Sequence, residues 1–175
     1  MLEIIVIAVV VIIAVVLALA ARKPDIFRVE RSIDIKAAPD KFSSLIDDFH
    51  QWAGWSPWEK LDPAMTRAYS GATSGKGAIY EWQGNSKVGQ GRMEILEILP
   101  NAKIVIKLDF LKPFEAHNTA EFTLETRGDS TFVTWAMYGP ASLPVKVMHL
   151  FFNMDKMVGK DFETGLANMK ALTEK

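Results

Sequence analysis

The clearest helical period in the chain lies in residues 154–172, MDKMVGKDFETGLANMKAL. Apolar or small residues recur there every three to four positions, at Met154, Met157, Val158, Phe162, Gly165, Leu166, Met169 and Leu172. This spacing predicts a long amphipathic helix, whose apolar face must pack against another part of the protein. A shorter helical segment is predicted just before it, at residues 143–152.

Strands precede this helix along most of the chain. Six segments are predicted as strands from alternating apolar residues or from the turns that bound them: 65–69, 78–82, 91–99, 104–110, 118–124 and 131–137. The alternation slips between Ile95 and Leu96, which predicts a β-bulge. An earlier strand runs from Phe27 to Ile35, and a helical region begins after Pro39. One strand, a helical region, about six antiparallel strands and a long helix together predict an α+β fold.

An unbroken run of 18 apolar residues occupies positions 4–21. As a helix it would be roughly 27 Å long, close to the thickness of the hydrocarbon core of a bilayer. A cleaved signal peptide is the alternative, with Ala18, Leu19 and Ala20 as its cleavage site. A signal peptide usually carries positive charge before its apolar run, however, and this chain begins Met-Leu-Glu.

The positive charges lie after the apolar run, at Arg22 and Lys23. They favour an uncleaved single-pass anchor with the rest of the chain on the cytoplasmic side of the membrane. We therefore predict an anchor at residues 1–23 and a water-soluble domain at residues 24–175.

Composition excludes several classes of function. The chain has 20 Lys and Arg against 21 Asp and Glu, a net charge of -1, which argues against a nucleic-acid partner. It contains no cysteine, which excludes disulfides, thiolate zinc sites, iron–sulfur clusters and a cysteine nucleophile. The three histidines, His50, His117 and His149, lack the spacing of a metal site. No cofactor and no metal are predicted, and no motif in the sequence sets the oligomeric state.

The order of local motifs resembles the helix-grip superfamily, which includes START lipid-transfer domains, proteins like the birch pollen allergen, and polyketide cyclases. The resemblance covers about residues 26–174. It rests on SIDIKAAPD (32–40), the helix at 41–49, WSPW (55–58), GKGAIYEW (75–82), GQGRM (89–93), VTWAM (133–137) and KDFETGLANMK (160–170). The resemblance implies a curved antiparallel sheet around a long C-terminal helix, with an apolar cavity between them for hydrophobic molecules. Many bacterial members are similar in placing a single N-terminal anchor before this domain.

Residue chemistry selects candidates to bind such a ligand. Aromatic residues on the predicted inward face, methionines on the helix, and polar groups at apolar positions of strands all qualify. The predicted ligand-binding residues are Arg31, Trp55, Tyr80, Trp82, Phe110, Asn118, Trp135, Met137, Met157 and Phe162. The tryptophans at 52, 55 and 58 either form a lip at the mouth of the cavity or simply fill the end of the sheet, and the second interpretation is favoured.

Nothing in the sequence specifies catalysis, and a non-catalytic function is favoured. We predict a membrane-tethered domain that binds a hydrophobic small molecule or lipid. One alternative is an enzyme of the cyclase or dehydratase type, with Glu81, Asp109, Tyr80 or Arg31 as its acid or base. Another is a protein-interaction module with a filled core. The predicted location is the membrane, with the soluble domain in the cytoplasm.

Overall fold

The computed structural model describes residues 1–174. Its elements in chain order are α1 (Leu2–Ala21), β1 (Ile26–Ile35), α2 (Asp40–Asp47), α3 (Trp52–Trp55), β2 (Thr66–Gly71), β3 (Ala78–Gln83), β4 (Gln90–Leu99), β5 (Lys103–Lys112), β6 (Ala116–Arg127), β7 (Ser130–Pro140), α4 (Leu143–Phe151) and α5 (Met154–Thr173). Two short 3-10 turns, Phe49–Gln51 and Pro57–Lys60, lie on either side of α3.

The seven strands form one antiparallel sheet in the order β1-β7-β6-β5-β4-β3-β2. The first strand pairs with the last, so the sheet is a chain of hairpins with β1 added beside β7. This curved sheet wraps around α5, and the predicted α+β helix-grip fold is confirmed. The predicted bulge is confirmed as well, since the pairing of β4 with β5 shifts register between Ile95 and Glu97.

Helix α5 packs directly on the sheet through its apolar face. Phe162, Leu166 and Met169 on this face are buried. Gly159 and Gly165 lie where the helix comes closest to β1 and β7. A Cβ atom at Gly165 would lie only 2.7 Å from the Trp135 ring. Both glycines therefore serve close packing between helix and sheet.

We expect Gly165→Ala to destabilise the protein, although alanine is favoured in helices by about 1 kcal/mol. The added methyl group would force Trp135 or α5 to move, and such overpacking costs about 1–3 kcal/mol. Thermal unfolding followed by circular dichroism measures the difference. Gly54→Ala in α3 is the matched control, because its Cβ would meet only Leu172 at an ordinary 3.8 Å. A Gly165→Ala protein as stable as the Gly54→Ala protein would contradict this account of the packing.

The N-terminal helix α1 stands apart from the core of the domain. It is 20 residues long and strongly apolar, so its length and composition suffice to cross a membrane. Most of its apolar side chains are exposed, and Ala20 near its end is buried. Its contacts with the rest of the chain are chiefly with α4.

Candidate ligand cavity

An apolar cavity of about 250 Å³ lies between the sheet and α5. The sheet lines it through β3 to β7, and α5 lines it through Val158 and Phe162. The segment around α3 supplies the remaining wall. The full lining is Trp52, Ser56, Trp58, Glu59, Met65, Tyr80, Trp82, Val88, Met93, Leu108, Phe110, Ala120, Trp135, Met137, Val158 and Phe162. Almost all of these side chains are apolar, so the cavity suits a ligand that is largely hydrophobic.

Trp135 lies at the centre of the aromatic packing beside the cavity. Its ring stacks on Phe162 of α5 with centroids 4.2 Å apart, and on Phe122 of β6 at 5.0 Å. The edge-to-face contacts of Trp55 and Trp58 with the same ring are at 5.3 and 5.6 Å. Because each face of the ring is covered by another aromatic side chain, its position in the wall is fixed.

The indole N–H of Trp135 is buried and has no hydrogen-bond acceptor among the residues described. Three of the other tryptophans nearby donate to backbone carbonyl oxygens. Trp52 donates to the carbonyl oxygen of Ile46 at 3.0 Å, Trp55 to that of Leu45 at 2.8 Å, and Trp82 to that of Val88 at 3.0 Å. A buried donor without a partner costs about 1–3 kcal/mol, so Trp135 is the exception that requires an explanation.

One acidic side chain, Glu59, belongs to the cavity wall. Its side chain is only 7% exposed, and Tyr80 donates a 2.5 Å hydrogen bond to its Oε1. Arg67 donates to Oε2 at 2.7 Å and to the Glu59 carbonyl oxygen at 3.1 Å. Burial and the bond to Glu59 raise the pKa of Tyr80 well above its usual value, so its hydroxyl remains protonated. The cavity therefore has one polar corner, made by a carboxylate and a neutral phenol.

The comparisons with known proteins agree with this architecture. The family described as "Polyketide cyclase / dehydrase and lipid transport" matches residues 27–174, which is most of the chain. This chain belongs to that family. The match begins after α1 and ends in the last turn of α5, so it covers the sheet and all of the cavity lining. No curated protein matches the chain significantly.

Solved structures show the same fold at low sequence identity. Major latex-like protein 151 from Panax ginseng is 14% identical with a TM-score of 0.59, covering 87% of this chain and 100% of the ginseng chain. The di-domain aromatase/cyclase BexL of the BE-7585A biosynthetic pathway is 14% identical with a TM-score of 0.63, covering 90% of this chain and 53% of its own. The Aha1 dimer from Colwellia psychrerythraea is 16% identical with a TM-score of 0.53, covering 85% of this chain and 94% of the Aha1 chain.

Within this family member, the structure brings most of the predicted ligand-binding residues together. Those that line the cavity are Tyr80, Trp82, Phe110, Trp135, Met137 and Phe162. The inward orientation of the strand residues follows from the alternation along each strand, and that of Phe162 follows from the helical period of α5. Their contact with a ligand remains a prediction.

Trp55 and Asn118 do not reach the cavity surface, contrary to expectation. Trp55 is fully buried with its ring edge to face against Trp135. Trp52 and Trp58 of the same cluster line the cavity, so the cluster both fills the core and borders the cavity. Asn118 is buried on β6 next to Gly139 of β7, at a point where a Cβ on that glycine would overlap its side chain. Both residues therefore occupy packed positions beyond the cavity wall.

Arg31 and Met157 also lie outside the cavity lining. The Arg31 guanidinium bonds to Asp155 at 2.9 Å and to Glu163 at 2.7 Å, and these acids raise its pKa. It therefore ties β1 to α5 across the closest approach of the two elements. Met157 is 59% exposed on the side of α5 that faces away from the sheet.

The acids proposed from the sequence for a catalytic role point away from the cavity. Glu81 is exposed, and Asp109 lies on the other face of β5. Burial alone would raise the pKa of Asp109, but hydrogen bonds with Lys107 and His117, at 2.9 and 2.7 Å, lower it below its usual value.

Sequence reasoning missed Glu59, because it lies in a 3-10 turn where no alternation indicates which way a side chain faces. Among residues 1–174, no group of three or more potential ligands is arranged to hold a metal ion.

Proposed function

We propose that this protein binds a hydrophobic small molecule or a segment of a lipid in the cavity beneath α5, while α1 tethers it to a membrane. The observation that supports this most directly is an apolar cavity of about 250 Å³ between the sheet and α5, with Glu59 and Tyr80 at one polar corner. A ligand with a largely apolar body would fill the space. The family's description, which includes lipid transport, is consistent with such a ligand.

The size of the cavity limits what it can hold. A cavity of about 150 Å³ lined by apolar residues is enough for benzene. At about 250 Å³, this cavity has room for roughly one or two rings or a short acyl segment. A complete phospholipid is too large, so a lipid would place only part of one chain inside unless α5 moved away from the sheet.

The tether is proposed from α1 and its flanking charges. Residues 1–23 would form the anchor and residues 24–175 the ligand-binding domain, with Arg22 and Lys23 keeping that domain cytoplasmic. A hydrophobic ligand concentrates in the bilayer. Holding the cavity beside the membrane therefore shortens the distance that the ligand must travel through water.

Filling the cavity tests the proposal, and we expect Ala120→Leu to weaken binding about tenfold or more, or roughly 1.4 kcal/mol. Ala120 is buried in the cavity wall, and the larger side chain would occupy space that the ligand needs. The full chain in lipid nanodiscs is titrated with 2-naphthol, a bicyclic probe with one hydroxyl oxygen. Energy transfer from the tryptophans to the probe reports occupancy.

Ala167→Leu is the matched control, because Ala167 is exposed on α5 and lies outside the cavity. It should bind the probe as the unmodified protein does. Equal binding by the Ala120→Leu protein would show that the probe binds elsewhere. Lack of saturable transfer, together with lack of any organic compound in extracts of the purified protein, would overturn the proposal.

The polar corner of the cavity supports an enzyme as a second candidate. Glu59 and the protonated Tyr80 hydroxyl line the cavity and are the residue types that a cyclase or dehydratase would use as a base and a hydrogen-bond donor, once a substrate displaced their bond to each other. Turnover of a polyketide-type substrate that is lost in Tyr80→Phe, with probe binding retained, would favour this candidate. The third alternative, an interaction module with a filled core, has less support because the interior contains a cavity.

A further inference from the structure

Helix α4 is attached firmly to the segment that leaves the proposed anchor. Lys23 donates a 3.2 Å hydrogen bond to the carbonyl oxygen of His149, and the rings of Phe27 and His149 meet edge to face at 5.8 Å. Lys146, which is buried, pairs with Asp25 at 2.5 Å. Because α1 also contacts α4 directly, the end of α1 sets where α4 lies relative to a membrane.

The same part of the chain exposes large apolar side chains to an unusual extent. Phe151 and Phe152 at the end of α4 are 69% and 57% exposed, and Met157 in the first turns of α5 is 59% exposed. Leu143 and Met148 on α4 are exposed as well. Several large apolar side chains exposed within residues 143–157 mark this part of the chain as a candidate site of interaction.

Basic groups accompany these apolar side chains. A depression of about 470 Å³ is lined by Phe151 and Phe152 together with Lys23, Arg28 and Lys146. Most of these charges are paired. Lys146 pairs with Asp25, Arg28 pairs with Glu30 at 2.7 Å, and Asp155, which also lines the depression, pairs with Arg31. Lys23 has no acidic partner among residues 1–174, and its ammonium donates to the carbonyl oxygen of His149. Burial and the Lys23 ammonium lower the pKa of His149, which also lines the depression, so it contributes no charge at neutral pH.

We propose that α4 and the first turns of α5 dock on the bilayer that holds α1, with Phe151 and Phe152 inserted at the boundary between headgroups and acyl chains. This inference rests on the tether of the proposed function. Three observations select a lipid surface as the partner: continuity with the end of α1, two adjacent exposed aromatic rings, and the ammonium of Lys23 in the depression that those rings line. An interfacial helix buries its apolar face by about 5–10 Å in this way.

The docked orientation would place the ligand cavity near the membrane. Met154 lines the depression, and Val158, one helical turn further along α5, lines the cavity. The same end of α5 therefore separates the membrane surface from the cavity. A ligand leaving the bilayer beside Phe152 would need to pass only this turn of helix.

Single-cysteine variants test the inference cleanly, because the chain contains no cysteine of its own. Phe151→Cys and Phe152→Cys in the full chain are spin-labelled and reconstituted into vesicles of three parts phosphatidylcholine to one part phosphatidylglycerol. Accessibility to oxygen, which concentrates in lipid, is compared with accessibility to a water-soluble nickel chelate. Both labels are expected to report a depth of about 5–10 Å below the headgroups.

Two further labels serve as references. Val10→Cys reports whether α1 lies in the bilayer, and Asp129→Cys lies in the turn between β6 and β7. That turn is separated from the start of α4 by the whole of β7, roughly 35 Å along the strand, so its label should be aqueous.

Each pattern of results decides the inference. Lipid exposure at 151, 152 and 10 supports docking beside the tether. Lipid exposure at 151 and 152 with an aqueous label at 10 would overturn docking on the bilayer that holds α1. Aqueous labels at 151 and 152 with Val10→Cys in lipid would overturn docking and leave the tether intact. Aqueous labels at all three positions would overturn docking and the tether together. Dipolar broadening between labels at 151 on two chains would show that a second copy covers this surface, and would also overturn the inference.

Discussion

Replacing Trp135 with alanine is expected to lower the free energy of unfolding by about 4 kcal/mol. Its ring stacks between Phe122 and Phe162 and contacts Trp55 and Trp58 as well, so truncation would open a void at the centre of the aromatic packing. For a chain of this size, a loss of that magnitude corresponds to a drop of about 10 °C in the midpoint of thermal unfolding. Circular dichroism of the purified full chain measures it.

Trp135→Phe separates packing from hydrogen bonding. The phenyl ring keeps much of the stacking and removes an N–H that has no acceptor among residues 1–174, but it also lacks the fused second ring, so stability should fall by about 1–2 kcal/mol through the lost volume. Trp55→Phe is the matched control, because it loses the same volume and also deprives the Leu45 carbonyl oxygen of its 2.8 Å donor, so it should cost more. A loss of stability in Trp135→Phe as large as that in Trp55→Phe would contradict the description of this N–H as unpartnered.

Removing the Glu59 carboxylate is expected to destabilise the protein by about 3 kcal/mol. In Glu59→Ala, the Tyr80 hydroxyl and the Arg67 guanidinium both lose the acceptor that they share in a largely buried site. Leaving such groups unpaired costs more than the pair itself contributes to stability. Urea unfolding of the variant, compared with the unmodified chain, measures the loss.

Glu97→Ala provides the control for this second experiment. Glu97 is exposed on β4, so its removal should change stability by no more than about 0.5 kcal/mol. The stability of the Glu59→Gln protein should lie between those of the Glu59→Ala and Glu97→Ala proteins, because the amide oxygen of glutamine can still accept one hydrogen bond. A Glu59→Ala protein as stable as the Glu97→Ala protein would mean that water replaces the carboxylate, and hence that the polar corner is open to solvent.

The two experiments also bear on function. A stabilising role for Glu59 alone would leave the cavity with a structural acid and favour the binder over the enzyme. Loss of turnover in Glu59→Gln at preserved stability would favour the enzyme. Trp135 distinguishes the two candidates less well, since both need a fixed aromatic wall beside the ligand.

Local periodicity predicted the order of the elements and the α+β class, while the wrapping of the sheet around α5 was implied by the resemblance to the helix-grip superfamily. Alternation along β5, β6 and β7 placed Phe110, Trp135 and Met137 on the inner face, and the slip at Ile95 predicted the bulge in β4. The period of α5 likewise predicted the buried position of Phe162. These predictions succeed because the side that a residue faces on a regular strand or helix depends only on its position along the chain.

Side chains that lie outside the cavity were predicted less well, for a physical reason. Arg31 has the period of the cavity residues on its strand, yet it pairs with two acids of α5. Met157 has the period of the apolar residues of α5, yet it is exposed on the side of the helix that faces away from the sheet. Glu59 lies in a 3-10 turn without any such period and nevertheless reaches the cavity wall. Charge pairing and exposure depend on residues that are distant in sequence, here 21 positions between Glu59 and Tyr80 and 132 between Arg31 and Glu163.

The sequence by itself determined the order of the elements, the faces of its strands and helices, and the apolar run at positions 4–21, because each follows from the chemistry of neighbouring residues. Only the tertiary structure decided that a cavity remains under α5, that the N–H of Trp135 lacks an acceptor, and that Phe151 and Phe152 lie beside the end of α1. Each of these depends on how surfaces from separate elements meet. The packing of separate elements against each other sets the volume left between side chains. It also determines which partners a buried polar group finds, and no single segment determines either.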